Sequence, residues 1–245
     1  MAIRCLRRTD YREMPWKNGR GVTLQLAIEP PDAPFPAGPY TWRLSSAPVV
    51  EAGPFSQFPG MRRLLTIVDG EGMLLNGTVL NRGDVADFAG DVPTHAHLVR
   101  GPVRDLGLIF DPQRIVAELE IHELGQSPHV VSQTTGLLLI VHLGHDASIE
   151  VESEPHTFIQ LAHLDMLHVA CPAKLTVTVP PRTIDTTALA FLWATLCPWW
   201  GASSRPPGRL AALRRRFLAA CGVSGACDSG ARPKRIAIIR MRPIG

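Results

Sequence analysis

A chain of 245 residues that is 45% hydrophobic and 19% charged can bury a sizeable core, and its composition is globular, which excludes disorder as its overall state. Five scattered cysteines (Cys5, Cys171, Cys197, Cys221 and Cys227) form no CxxC pair, which argues against a disulfide framework or zinc knuckle and for a reducing, cytoplasmic setting. The net charge of +3 conceals a split: residues 1–185 hold 15 Lys and Arg against 21 acids, whereas residues 186–245 hold 10 basic residues and one acid, Asp228.

The N-terminal stretch "MAIRCLRRTDYREM" is charged throughout and lacks an apolar core, so no signal peptide is expected. The most apolar window, "ALAFLWATLCPWWGA", is too short for a bilayer span and is broken by Pro198, so no membrane partner is expected. Next in interest is "MPWKNGRGVTLQLA" (14–27), where Trp, Lys and Asn stand against a glycine-rich turn before a strand. Glycine and asparagine suit the turn, but the turn does not need the tryptophan or the lysine. Trp16 reads as a packing anchor, and Lys17 with Asn18 as groups that the turn presents to a pocket. The competing reading has Trp16 capping the core and Lys17 in solvent.

Short β-type runs follow, each bounded by Gly, Pro, Asn or Asp. In "YTWRLSSAPV" alternation sets Arg43 on a polar face with Thr41 and Ser45. In "MRRLLTIVDG" Arg63, Leu65 and Ile67 share one face, while Arg62, Leu64, Thr66 and Val68 share the other. "VDGEGMLLNGTVL" predicts strand, turn at Asp69–Gly70, strand, turn at Asn76–Gly77, strand. In "VRDLGLIF" Arg104 shares a face with Leu106, Leu108 and Phe110, and Asp105 takes the other side. The same texture returns in "LLLIVHLG", "ASIEVES", "HTFIQLAHLDMLHV" and "AKLTVTVP". Two β-rich lobes, roughly 22–110 and 126–182, are thus expected, with the N-terminal segment joining the second. They are linked by "DPQRIVAELEIHELGQSP", whose pattern fits a helix or a strand. Two similar lobes of short strands suggest a duplicated sandwich or barrel.

A buried arginine is costly unless something anionic pairs with it. Lys17, Arg43 and Arg63 are therefore candidates for one cationic pocket, suited to a small carboxylate held in fork geometry. Ordinary rim salt bridges are the alternative for each of them.

The ordered set "PWKNGRGVT" (15–23), "YTWRLSSAPV" (40–49), "GPFSQFPGMRRLLTIVDGEGMLL" (53–75), "FAGDVP" (88–93) and "GPVRDLGLIFDPQR" (101–114), with a weaker "HLDMLHV" (163–169), resembles the HutD/Ves family over about residues 1–182. The resemblance implies an all-β bicupin: two small cupin-type barrels (double-stranded β-helices) in one chain, followed by a non-family C-terminal tail. It also implies a role in histidine utilisation, through non-catalytic binding of a pathway metabolite such as formylglutamate or urocanate. By motif position it implies Trp16, Lys17, Asn18, Arg43, Arg63, Arg104 and Asp105 as ligand-binding residues, with no catalytic residue, cofactor or metal. Two positions depart from the family pattern. Arg20 interrupts the glycine run after Lys17–Asn18–Gly19, and Gly107 stands where relatives often have Asn.

Other features carry less. His95 and His97 form an HxH pair of the kind metal-dependent cupins use, but the next acid, Asp105, lies beyond a turn. Asp84, Asp87 and Asp91 are read as turn caps or solvated acids rather than an acid–base pair. The basic tail 186–245 is expected to be disordered or loosely packed, and nucleic acid is a partner only if it binds there. A homodimer formed by covering exposed sheet edges is a further expectation. The alternative to a binding protein is a cupin-type enzyme acting on a small acidic metabolite, with or without a metal.

Overall fold

A computed structural model describes residues 3–15, 21–145, 149–153, 157–179 and 234–244. Among them are nineteen strands, one short 3-10 turn at Arg8–Asp10 and no α-helix. Trp16, Lys17 and Asn18 lie outside the described residues, as do residues 186–233 of the tail.

In chain order the strands are β1 (Ile3–Leu6), β2 (Arg12–Pro15), β3 (Val22–Glu29), β4 (Trp42–Val49), β5 (Gly53–Pro54) and β6 (Arg62–Asp69). Then come β7 (Met73–Leu75), β8 (Thr78–Leu80), β9 (Val85–Ala89), β10 (His95–Leu98) and β11 (Val103–Phe110). The second half holds β12 (Ile115–Leu124), β13 (His129–Gln133), β14 (Leu137–His142), β15 (Ile149–Ser153), β16 (Thr157–Leu161), β17 (Met166–Ala170), β18 (Ala173–Thr178) and β19 (Lys234–Pro243). The ambiguous linker is therefore a strand, β12. The Asn76–Gly77 turn joins β7 to β8 with φ of 49° and 84°, the positive pair that a tight hairpin demands.

Each lobe is built from two antiparallel sheets. The first pairs the order β2-β3-β4-β11-β6-β9 with β5-β10-β7-β8, and the second pairs β1-β17-β14-β19-β12 with β13-β18-β15-β16. Inside the second barrel the space is packed with aliphatic side chains such as Val131, Ile140, Leu161, Leu167 and Ile238. A separate core forms the seam between the lobes, where Leu44, Leu64, Leu106 and Leu108 of the first meet Leu139, Val141, Ile239 and Met241 of the second. Burial at about 25 cal/mol per Å² makes that seam a major stabilising contact rather than a loose hinge.

The tail expectation needs correction for its last residues. Lys234–Pro243 is a strand hydrogen-bonded on both sides, to β12 and to β14. Ile236 and Ile238 point into the second barrel, while Ala237, Ile239 and Met241 point into the seam. With both faces buried, the run "IAII" needs no polar alternation, which is why it reads as a central strand once placed.

Two bulges shape the first barrel. Register slips between Gln25 and Ala27 in the β3–β4 pairing, and beside Arg104/Asp105 in the β6–β11 pairing, where β6 carries an extra residue, Val68. A bulge bends its strand and re-aims the side chains beyond it. Here the β3 bulge turns Gln25 toward the barrel interior, whereas Asp105 faces inward by the ordinary alternation of β11, beside the slip in its pairing with β6.

Candidate ligand site in the first barrel

The mouth and interior of the first barrel form a cavity of about 1090 Å³. Its wall follows from strand registry. Arg43 of β4 and Arg63 of β6 both pair with Ile109 of β11, one from each side, so all three share the inward face. The next inward row is Ser45, Gly107 and Leu65, and the one beyond it Ala47, Asp105 and Ile67. A cationic row, a row with a glycine at its centre and a row with one carboxyl thus lie in sequence along the wall.

Arg43 is only 4% exposed. Its Nε donates to Gln25 Oε1 at 2.9 Å, Nη1 to Ser45 Oγ at 3.1 Å and Nη2 to the Met14 sulfur at 3.4 Å, and the guanidinium carbon sits 3.9 Å from the Phe35 ring centroid. Every one of these partners is neutral. Burial pulls the Arg43 pKa down to about 10, so it is still a cation at neutral pH. Arg63 is half-buried, gives Nη1 to the Ser56 carbonyl at 3.1 Å and lies 5.2, 5.4 and 5.1 Å from the ring centroids of Phe55, Phe58 and Phe88. Burial lowers its pKa too. Neither arginine has an ion-pair partner within 4 Å among the described residues. Its neighbour Arg62 points outward and is bidentate to Asp87 at 2.7 and 2.9 Å, so adjacent guanidiniums have opposite fates.

Asp105 is the buried carboxyl of the wall, 9% exposed, and its Oδ1 accepts the Ala47 N–H at 2.8 Å. Burial pushes its pKa from the usual 3.8 up to about 6, against the Ala47 hydrogen bond and the pull of Arg63, Arg104 and Arg43. Tyr40, which also lines the cavity, is raised by burial. Two cations, Arg43 and Arg63, thus face one weakly acidic carboxyl on this wall, and the exposed Glu51 is a further acid among the lining residues.

Of the residues expected at the site, Arg43, Arg63 and Asp105 are brought together. Arg104 is not: it lies on the face of β11 opposite Asp105 and is not among the residues that line the cavity, as its alternation already required. Trp16, Lys17 and Asn18 directly follow Met14 and Pro15, which line the cavity. Residues that sequence reading missed are Gln25, Phe35, Tyr40, Phe55 and Phe58. The two phenylalanines of "GPFSQFPG" lie between β5 and β6, where no strand period signals their direction, and Gln25 faces inward only because of the bulge.

The decoys have structural places. His95 and His97 are exposed on β10, and Ala96 between them is the buried residue, so the pair points out of the barrel. Among the described residues no group of three His, Cys, Asp or Glu is arranged to hold a metal ion. Asp84 accepts from the Asn81 backbone and side chain at 2.9 Å, and Asp87 holds Arg62. No helix among the described residues is long and apolar enough to cross a membrane.

Paired antiparallel sheets in two lobes, one open and cationic and one packed, define an all-β protein of the cupin type with two barrels in one chain. The chain belongs to the HutD family, whose model matches residues 8–184. It is 36% identical over 141 residues to an uncharacterised 21.2 kDa protein in the hutC 3′ region of Pseudomonas putida, covering 56% of this chain and 72% of that one. To protein Ves of Citrobacter koseri it is 32% identical over 121 residues, 46% of this chain and 61% of Ves. The solved structure of HutD from Pseudomonas fluorescens SBW25 superposes over 100% of both chains with a TM-score of 0.63 at 24% identity, a likeness of fold. Strand β19 lies beyond the residues that the family model matches.

Proposed function

We propose that this chain is a non-catalytic binder of a small carboxylate that modulates histidine utilisation by holding a pathway metabolite such as formylglutamate or urocanate. The observation that carries this reading is the pair Arg43 and Arg63: two guanidiniums at one cavity wall, held by neutral groups and with no ion-pair partner within 4 Å among the described residues. Keeping a charge in such a place costs several kcal/mol unless an anion joins it. A carboxylate between them would supply that anion in the geometry guanidinium favours. Kinship with a protein encoded in a hutC region supports the choice of metabolites.

Calorimetric titration of the full chain with formylglutamate and with urocanate tests it. Saturable binding is expected, with affinity reduced at least about tenfold in Arg63→Ala, since truncating one partner of a desolvated charge pair is costly. No heat with either ligand, in protein shown to be folded, would remove the reading.

Gly107 gives a test that leaves charge alone. It forms the floor between the cationic and acidic rows, its backbone is in the ordinary strand region, and an added Cβ would meet only Leu65 Cδ1, at 3.3 Å. Gly107→Val is expected to keep the fold, because a β-branched residue suits the strand. It should weaken ligand binding by filling the floor. Unchanged affinity in that variant would move the ligand elsewhere.

One observation favours a second reading. A buried carboxyl with a pKa of about 6 beside a cavity has the acidity of a general acid–base, which fits a cupin-type enzyme acting on a small acidic metabolite. Turnover of either ligand, followed by proton NMR and lost in Asp105→Asn, would establish it.

A further inference from the structure

We propose that Asp105 couples ligand binding to proton uptake: an anion settling between Arg43 and Arg63 drives a proton onto the Asp105 carboxylate. This rests on the carboxylate-binding reading above and adds the regulation of that same site.

Three ionisable side chains share one wall, and none of the three is paired with another. Asp105 stands two inward rows from the arginines, with only Ser45, Gly107 and Leu65 between, so nothing charged screens it from a ligand there. With Asp105 ionised, the two arginines and the carboxylate sum to one positive charge. A monocarboxylate brings that sum to zero, and a dicarboxylate takes it negative inside a poorly solvated cavity. In both cases the new anion opposes the existing one, and protonating Asp105 relieves the opposition. The other charged and titratable groups around it do not take over this role. From β4 and the segments flanking it come Arg43, Tyr40 and Glu51; Tyr40 holds its proton, and Glu51 is an exposed acid engaged in an interaction of its own. From β6 comes Arg63, while Arg62 and its partner Asp87 of β9 point outward. On β11 itself, Arg104 lies on the opposite face, and His95 and His97 of β10 are exposed outside the barrel.

Buried behind the Ala47 N–H, the carboxyl already holds its proton more readily than an ordinary aspartate, so a small added field tips it near neutral pH. Linkage is reciprocal: if the anion strengthens proton binding, protons strengthen anion binding by the same factor. Affinity should therefore fall as pH rises, toward a limit of about tenfold per pH unit for one proton.

Formylglutamate is a suitable probe, because both of its carboxyls stay ionised across the range used. Titrating the full chain at about pH 7.5 in HEPES and again in Tris should give different heats, the difference reporting uptake of up to about one proton per ligand. The dissociation constant should rise several-fold between about pH 6.5 and about pH 8. In Asp105→Asn, whose amide oxygen can still accept the Ala47 N–H, both effects should vanish and affinity at the higher pH should exceed that of the wild type. Wild-type binding with equal heats in both buffers and a flat pH profile would overturn the coupling while leaving the carboxylate pocket in place. Absence of binding at every pH would overturn the pocket itself, and the coupling with it.

Discussion

Removing residues 234–245 is expected to abolish cooperative folding of both lobes. Strand β19 is hydrogen-bonded to β12 on one side and β14 on the other, so its loss leaves β12 with no partner in the sheet. Ile236, Ile238 and Ile239 are each 0% exposed and Met241 is 3% exposed. Truncating one such side chain costs about 2–5 kcal/mol, and deleting the strand removes several at once from two cores. Domains of this size are stable by about 5–15 kcal/mol in total, so the sum exceeds what is available. The measurement is urea unfolding followed by near-ultraviolet circular dichroism, comparing the full chain with one ending at residue 233. A sigmoidal transition of unchanged midpoint in the shortened chain would show that β19 is not a structural member of the sheet.

That strand also shows where sequence reading fell short. Along the sequence alone, the charge asymmetry looks like a property of a separate tail. In the folded chain the basic residues of β19 meet the acids of β12: Arg235 with Glu123, Arg240 with Glu120 and Arg242 with Glu118. Each exposed pair is worth little alone. Together they fix the register of two strands that lie over a hundred residues apart in the chain, a long-range pairing that no local pattern announces. The apolar run "IAII" was the available sign, hidden by the Arg-, Gly- and Pro-rich sequence before it.

The site divides along similar lines. Period-two alternation placed Arg43, Arg63 and Asp105 on polar or inward faces, and it placed Arg104 with Leu106 and Leu108. Carrying Arg104 into the pocket by motif position set that alternation aside, and the fold sides with the alternation. What alternation could not supply were the bulges. The extra residues Leu26 and Val68 break the period within β3 and β6, and only registry with the neighbouring strands shows that Gln25 reaches Arg43. Aromatic residues from loops, Phe35 and Phe58 among them, were equally illegible, because a loop has no period to read.

Asp105→Asn is expected to stabilise the ligand-free protein by about 3 kcal/mol at neutral pH and by nothing below about pH 4. In the unfolded chain this carboxyl loses its proton near 3.8, and in the folded protein at about 6, chiefly because burial disfavours the charged form. Between those values the folded state holds the extra proton, so stability falls as pH rises and the loss is complete above the folded pKa. Two pKa units correspond to about 3 kcal/mol, which is the cost of keeping this carboxylate ionised inside the barrel at neutral pH. Asparagine is uncharged throughout and keeps an acceptor for the Ala47 N–H, so the variant should lose the pH dependence and keep the hydrogen bond. Denaturant midpoints of wild type and variant, measured from acid to neutral pH, should diverge upward from about pH 4 and run parallel beyond about pH 7. Equal midpoints throughout would mean that Asp105 is well solvated and ionises normally. An aspartate that weakens the fold has to be explained by what the cavity does, and with Arg43 and Arg63 facing it, a charge balance that changes when an anion arrives is the explanation the wall itself supplies.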